Sequence, residues 1–339
     1  MNNFAYIKAR SLNEATAAIQ TNDRAQYVAG GTNLIDLWKY NLTNPTVLID
    51  LTPLAGQHTV DEQNDGTVRL DALMTNAATA YHPLIEQRYP LLSRAILAGA
   101  SAQIRNMATN GGNLLQRTRC YYFYDPTAPC NKRVPGSGCA AITGYNRMHA
   151  ILGTSTECIA VFPSDMCVAL AALNATVNVS GPKGDRTIPF RDFHRLPEQT
   201  PERDNTLLHG EVVTSITLPP EGFANNYSYL KLRDRNSYAF ALVSVATALT
   251  LNAGIIQEAR IALGGVAHKP WRVTEAEDFL IDKPATDHTF AAAADIILQG
   301  ASGFKYNKFK IELAKRAIVR NSMMALNPES QRPGAQPSA

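Results

Sequence analysis

The stretch Ile104-Arg-Asn-Met-Ala-Thr-Asn-Gly-Gly-Asn-Leu114, followed by a region carrying Cys120, Cys130, Cys139, Cys158 and Cys167, decides how this chain is read. Thr109 through Asn113 put several backbone N–H groups on one concave side, and the glycines let an anionic ligand approach closely. All five cysteines fall in this region, which closes on Pro163-Ser-Asp-Met-Cys167. The N-terminus, Met1-Asn-Asn-Phe-Ala-Tyr, lacks the basic and apolar regions of a secretion signal, which by sequence alone places the chain in the cytoplasm. An odd number of cysteines in such a context argues against a disulfide framework and for a metal or cluster site.

The gaps between Cys120, Cys130, Cys139 and Cys158 are nine, eight and eighteen residues. That fits neither the paired C-x2-C of structural zinc nor the usual ferredoxin runs. Four thiolates can still converge from a long loop, where soft sulfur selects zinc or an iron–sulfur cluster; buried structural thiols are the alternative. Pro126, Pro129, Pro135, Gly136 and Gly138 leave the region little helical periodicity, so something other than a core is expected to hold it. Cys167 falls on a predicted helix face and reads as a small core residue. His149 could substitute as a ligand, although a lone histidine is more often structural. Lys132 and Arg133 follow Cys130 directly. They read as a positive collar that steers an acidic one-electron carrier, as solvated loop charges, or as a contact to a neighbouring subunit.

Outward from this region the chain is an ordinary globular one. With 339 residues, 45% of them hydrophobic and 18% charged, it has room for two or three domains. A net charge of +3 without a basic, aromatic-laced stripe gives no support for nucleic acid, and no apolar run is long enough to span a membrane. Strand 4–9, a helix opened by the capping box Ser11-Leu-Asn-Glu14, strand 26–29, helix 34–40 and strand 46–51 make a small α/β unit. Its loop Gly30-Gly31-Thr32-Asn33 directly follows a strand without the GxGxxG spacing, so a nicotinamide-type motif is not supported; a plain turn and a phosphate cradle both remain open. Strand and turn over 61–73, a helix over 91–100, strand character at 150–152 and 158–162, a helix after Ser164 and a hairpin over 175–189 follow. Beyond 226 come strands 227–232, 239–251 and 255–263, then helices near 274–280, 290–299 and 307–325, the last with Phe309, Leu313 and Ala317 on one face. Residues 327–339 read as a flexible tail.

Four segments, Val28-Ala-Gly-Gly-Thr-Asn-Leu34, Ile104–Leu114, Pro163-Ser-Asp165 and Tyr229-Leu-Lys-Leu-Arg233, resemble the FAD-binding subunit of molybdenum hydroxylases, the xanthine dehydrogenase and carbon monoxide dehydrogenase group. The likeness covers nearly the whole chain. It is nearest to the flavin subunit of bacterial periplasmic aldehyde oxidoreductases, whose inserted loop carries a 4Fe-4S cluster. The implied fold is α+β: a two-subdomain FAD-binding domain of the vanillyl-alcohol-oxidase type over 1–220, divided into 1–55 and 56–220, with the cluster insertion at about 117–160. A CO-dehydrogenase-flavoprotein-like α+β domain over 226–326 follows.

The resemblance implies that Tyr27, Val28, Ala29, Gly30, Gly31, Thr32, Asn33, Leu34, Thr109, Gly111, Gly112, Asn113, Asp165 and Lys231 contact FAD. The two glycine loops and the Thr32 and Thr109 hydroxyls would cradle its pyrophosphate. Otherwise Asp165 only supports a helix start and Lys231 is a solvated strand residue. The implied cluster ligands are Cys120, Cys130, Cys139 and Cys158. Implied partners are a molybdenum-cofactor large subunit, a 2Fe-2S small subunit and an external acceptor of ferredoxin type. No catalytic acid or base is called for in this chain. The related complexes also imply a periplasmic location, by co-export with a twin-arginine-bearing partner. A stand-alone flavin oxidoreductase and a zinc-stabilised interaction module are the rival readings.

Overall fold

A computed structural model of the chain describes residues 2–56 and 59–330. Its first sheet is parallel, with β1 (Ala5–Lys8), β2 (Ala25–Val28) and β3 (Val47–Asp50) in the order β1-β3-β2. Parallel neighbours need crossovers, and the helices Leu12–Gln20 and Leu34–Lys39 supply them. Ser11 caps the first through Glu14 N, while the Glu14 carboxylate accepts from Arg10 N at 2.7 Å.

The second sheet is antiparallel: β4 (Val60–Glu62), β5 (Val68–Asp71), β6 (Thr176–Gly181), β7 (Gly184–Pro189) and β8 (Val212–Leu218), ordered β4-β5-β8-β6-β7. Of the helices between β5 and β6, Asn110–Leu114 packs on β5 and β8, while Pro90–Ala98 and Asp165–Ala172 share a core with this sheet and also contact the strands that follow it in the chain. Asp165–Ala172 is buried along its length, capped by Ser164 through Cys167 N, and it places Cys167 in the main core with Leu70, Leu92 and Met166, as expected. The segments 150–152 and 158–162 differ from expectation. They form no strand, although Ala150 N donates to Ile159 O at 2.9 Å and Leu152 N to Val266 O at 3.0 Å. Isolated pairs of this kind, broken by the bends at 151–153, do not propagate into a ladder.

The third sheet contains the expected strands as β9 (Tyr227–Leu232), β10 (Val243–Asn252) and β11 (Ile255–Gly264), plus a two-residue β12 (Trp271–Arg272), in the order β12-β11-β10-β9. β10 begins later than expected because residues 233–242 bend away first. Helices Thr274–Leu280, Asp287–Ile297 and Phe309–Ala325 cover this sheet around Val245, Ile261, Phe290 and Ile318. The last helix does not turn Phe309 and Leu313 inward. Phe309 is exposed and Leu313 half-buried, and the buried face runs Lys310, Ala314, Ala317, Ile318 and Asn321. A lysine thus occupies a core position, held by polar partners described below. Of the expected tail, Pro328–Ser330 make one 3-10 turn, and 331–339 lie outside the described residues.

Candidate functional site

The loop after β2 and the segment before Asn110 meet where the first two sheets approach each other. Gly30 allows that approach: a Cβ there would lie 1.8 Å from the Met107 carbonyl oxygen. Gly31 turns with φ +71°, a conformation that disfavours a side chain. Among the described residues, the N–H groups from Gly30 to Leu34 take no hydrogen-bond partner. Asn33 Oδ1 accepts from Arg117 N at 3.1 Å, leaving Asn33 Nδ2 buried and unpartnered. Unsatisfied donors in this number are what an anionic ligand would satisfy.

The second glycine segment departs from expectation. From Asn110 on it is the start of the helix Asn110–Leu114 with its N–H donors already taken, whereas the Thr109 N–H takes no partner among the described residues. Asn110 N donates to Met74 O, Gly111 N to Ala72 O, Gly112 N to Thr109 Oγ1 and Asn113 N to Thr109 O. Thr109 therefore caps a helix with its hydroxyl. Gly111 packs on Ala72, whereas a Cβ on Gly112 would meet only Thr109 Oγ1, at 2.9 Å, and otherwise open space. Asn113 ties the segment to its neighbours, donating to Asn76 Oδ1 at 2.6 Å and accepting from Ser164 Oγ at 2.6 Å.

Two cavities open on either side of this junction, of about 470 Å³ and about 430 Å³, and Thr32, Asn33 and Gly112 line both. Tyr27 through Leu34 with Thr109 and Gly111 line the smaller lobe; Asn113, Asp165 and Lys231 line the larger. Together they make a two-lobed cleft whose lobes share Thr32, Asn33 and Gly112. The larger lobe also takes Ile96, Gly99 and Arg105. Sequence reading missed these because it ran the helix on through Gly99 and Ala100, whereas the helix ends at Ala98. Lys231 is not solvated. Its amine lies 2.8 Å from Asp165, with side-chain exposures of 3% and 8%, and Tyr229 donates to the other carboxylate oxygen at 2.7 Å. Burial, reinforced by that carboxylate, raises the Tyr229 phenol well above its ordinary value.

Arg119, on the wall of the larger lobe, leads directly into Cys120. Cys120, Cys130, Cys139 and Cys158 line one small cavity, with a bridge between the Cys130 and Cys139 backbones. Burial pushes the Cys120 thiol up to about 12, and nearby Cys130 and Cys139 add to this. Cys158 hydrogen-bonds Cys139, which lowers Cys139 to about 6 and raises Cys158. Four thiols on one cavity are a soft donor set of the kind that holds iron–sulfur clusters. Among the described residues, no three His, Cys, Asp or Glu side chains converge on a point suited to a single ion. Cys167 stands apart in the core, its thiol pushed up to about 12 by burial.

The insertion is better anchored than its composition suggested. Phe123 and Cys130 pack with Leu37 from the first α/β unit, and Tyr121–Tyr124 and Ala140–Thr143 form single helical turns. Of the alternatives for Lys132 and Arg133, neither a positive collar nor a pair of solvated charges fits their internal partners. Lys132, with 1% side-chain exposure, reaches Asp204 Oδ1 at 2.5 Å and Pro201 O at 2.6 Å, while Arg133 donates to carbonyls of Tyr122 and Phe123. Burial would raise Asp204, but the charges of Arg117 and Lys132 outweigh it and hold that carboxyl at about 2. His149 places Nε2 3.1 Å from Cys120 Sγ. Burial, then the charge of Lys310, depresses the imidazole to about 4.

Comparison with known proteins accords with this geometry. Residues 2–221 match the FAD binding domain in molybdopterin dehydrogenase, and residues 227–307 the CO dehydrogenase flavoprotein C-terminal domain. The chain is 46% identical to the aldehyde oxidoreductase FAD-binding subunit PaoB of Escherichia coli, covering 94% of this chain and 97% of that one. It is 29% identical to the glyceraldehyde dehydrogenase medium chain of Sulfolobus acidocaldarius, covering 84% and 83%. Its fold matches the reconstituted CO dehydrogenase from Oligotropha carboxidovorans with a TM-score of 0.75 at 22% identity, covering 96% and 98%. A two-lobed cleft with free donors at its waist and a family match along nearly the whole chain give one conclusion: the chain belongs to the FAD-binding subunits of the molybdenum hydroxylases.

Proposed function

We propose that this chain is the FAD- and 4Fe-4S-carrying electron-transfer subunit of a multi-subunit, molybdenum-dependent aldehyde oxidoreductase. It would receive electrons from molybdenum-cofactor and 2Fe-2S partners and deliver them to an external acceptor. The observation that carries the reading is adjacency: Arg119 lines the larger lobe and its chain neighbour Cys120 lines the cysteine cavity. FAD supplies electron exchange singly or in pairs, and the cluster supplies one-electron exchange.

This chain's own residues bind, orient and shield. Gly30 to Leu34 present free N–H groups, and Asn33 Nδ2 a further donor, to the pyrophosphate. Gly112 leaves the waist open. Lys231 and Asp165, paired, form a polar wall of the larger lobe. On this reading the subdomains 1–55 and 56–220 would form the two walls of the cleft, about 117–160 would hold the cluster, and 226–326 would close the far side. No described helix is long and apolar enough to cross a membrane. On the resemblance of the sequence alone, the folded chain would be exported with a partner bearing a twin-arginine signal.

The test is the visible spectrum with FAD, iron and sulfide content, run on the wild type, Cys130→Ser and Cys167→Ser. Flavin peaks with a broad iron–sulfur shoulder are expected in the wild type and in Cys167→Ser, and loss of most iron in Cys130→Ser. Equal iron loss in both variants would break the ligand assignment. Flavin without iron, with turnover in the absence of partners, would favour a stand-alone oxidoreductase, and a colourless protein would favour a zinc module.

A further inference from the structure

His149 belongs to neither the FAD cleft nor the four cysteines, yet it is 2% exposed and fixed from several directions. Its carbonyl accepts from Asn307 Nδ2 at 3.1 Å and from Lys310 Nζ at 2.8 Å. Its N–H donates to Asn146 O at 3.0 Å, and its chain neighbour Ala150 pairs with Ile159 beside Cys158. These bonds hold the ring so that Nε2 lies 3.1 Å from Cys120 Sγ. Nδ1 is buried with no partner. A proton on Nδ1 would bury an unsatisfied donor and aim the Nε2 lone pair at sulfur. The proton therefore belongs on Nε2, where the sulfur accepts it.

We propose that His149 is a positioning residue that donates an N–H···S hydrogen bond to Cys120 and raises the reduction potential of the cluster held there. The inference rests on the four-cysteine cluster reading above. One-electron reduction adds negative charge that is shared with the ligand sulfurs, so a fixed donor stabilises the reduced cluster more than the oxidised one. The supporting clamp comes from the far end of the chain, where Asn307 and Lys310 flank the start of the last helix.

The test uses the full chain in its assembled complex, with iron and sulfide content measured first and an EPR-monitored redox titration second. His149→Phe is expected to keep its iron but lower the midpoint potential, by on the order of tenfold in the reduced-to-oxidised ratio, about 59 mV for one electron. His149→Gln, which can return an N–H to the sulfur, is expected to recover much of that shift. Identical potentials in wild type and His149→Phe would overturn the inference. So would an equal shift in both variants, which would mark a packing effect, or iron loss in both, which would make His149 a ligand. Absence of iron and sulfide from the wild type would instead overturn the cluster reading itself, and this inference with it.

Discussion

Gly112 lines both lobes of the cleft, and a Cβ there would meet only the Thr109 hydroxyl, at 2.9 Å. Gly112→Val is expected to weaken FAD binding by at least about tenfold, ~1.4 kcal/mol. The flavin-free chain should melt close to wild type, within the ~1 kcal/mol that a disturbed Thr109 cap would cost. Flavin-to-protein ratio and a thermal melt decide it, and full flavin in that variant would remove Gly112 from the site. Gly31→Val is a poorer probe, because its φ of +71° adds strain to any loss of flavin. The sequence showed both glycine pairs but not their difference. The donors of Asn110 and Gly111 are taken by Met74 and Ala72, partners more than thirty residues away that no local pattern reveals.

The cysteine insertion is held at element scale by a polar lock as well as by Phe123 and Leu37. Asp204 accepts from Lys132 at 2.5 Å and from Arg117 at 2.7 Å, so both cations lose their partner when it is neutralised. Asp204→Asn is expected to cost about 3–5 kcal/mol, because it leaves the Lys132 charge buried and uncompensated. Lys132→Met should cost less, since Arg117 still pairs with Asp204. Denaturant unfolding of the purified protein would measure both, and Asp204→Asn within about 0.5 kcal/mol of wild type would refute the lock. The four cysteines and the irregularity between them were legible from composition. The inward turn of Lys132 was not, because its partner sits seventy-two residues further on, in a loop with no pattern of its own.

At the scale of the whole molecule, strand and helix order was largely legible because hydrophobic periodicity is local. Sheet membership was not: β5 and β8 pair across residues that contain the cysteine insertion. The last helix was found from its spacing, but its inward face was misplaced, because apolar spacing gave no reason to bury Lys310. That lysine is fully buried, with its amine on the carbonyls of His149 at 2.8 Å and Gly265 at 2.5 Å. Burial, then the neighbouring Arg147 charge, lowers it from an ordinary 10.5 to about 7. Between those two values the unfolded chain binds a proton that the folded chain does not, so folding stability rises with pH across that window and is flat below it. The melting temperature of wild type, minus that of Lys310→Met, should therefore climb from about pH 7 toward pH 9, while parallel curves would mean that the amine keeps its ordinary affinity for protons. A single amine that closes the far end of the chain onto the His149 carbonyl is thus expected to cost the fold less as pH rises through that window, where an exposed lysine would leave stability unchanged.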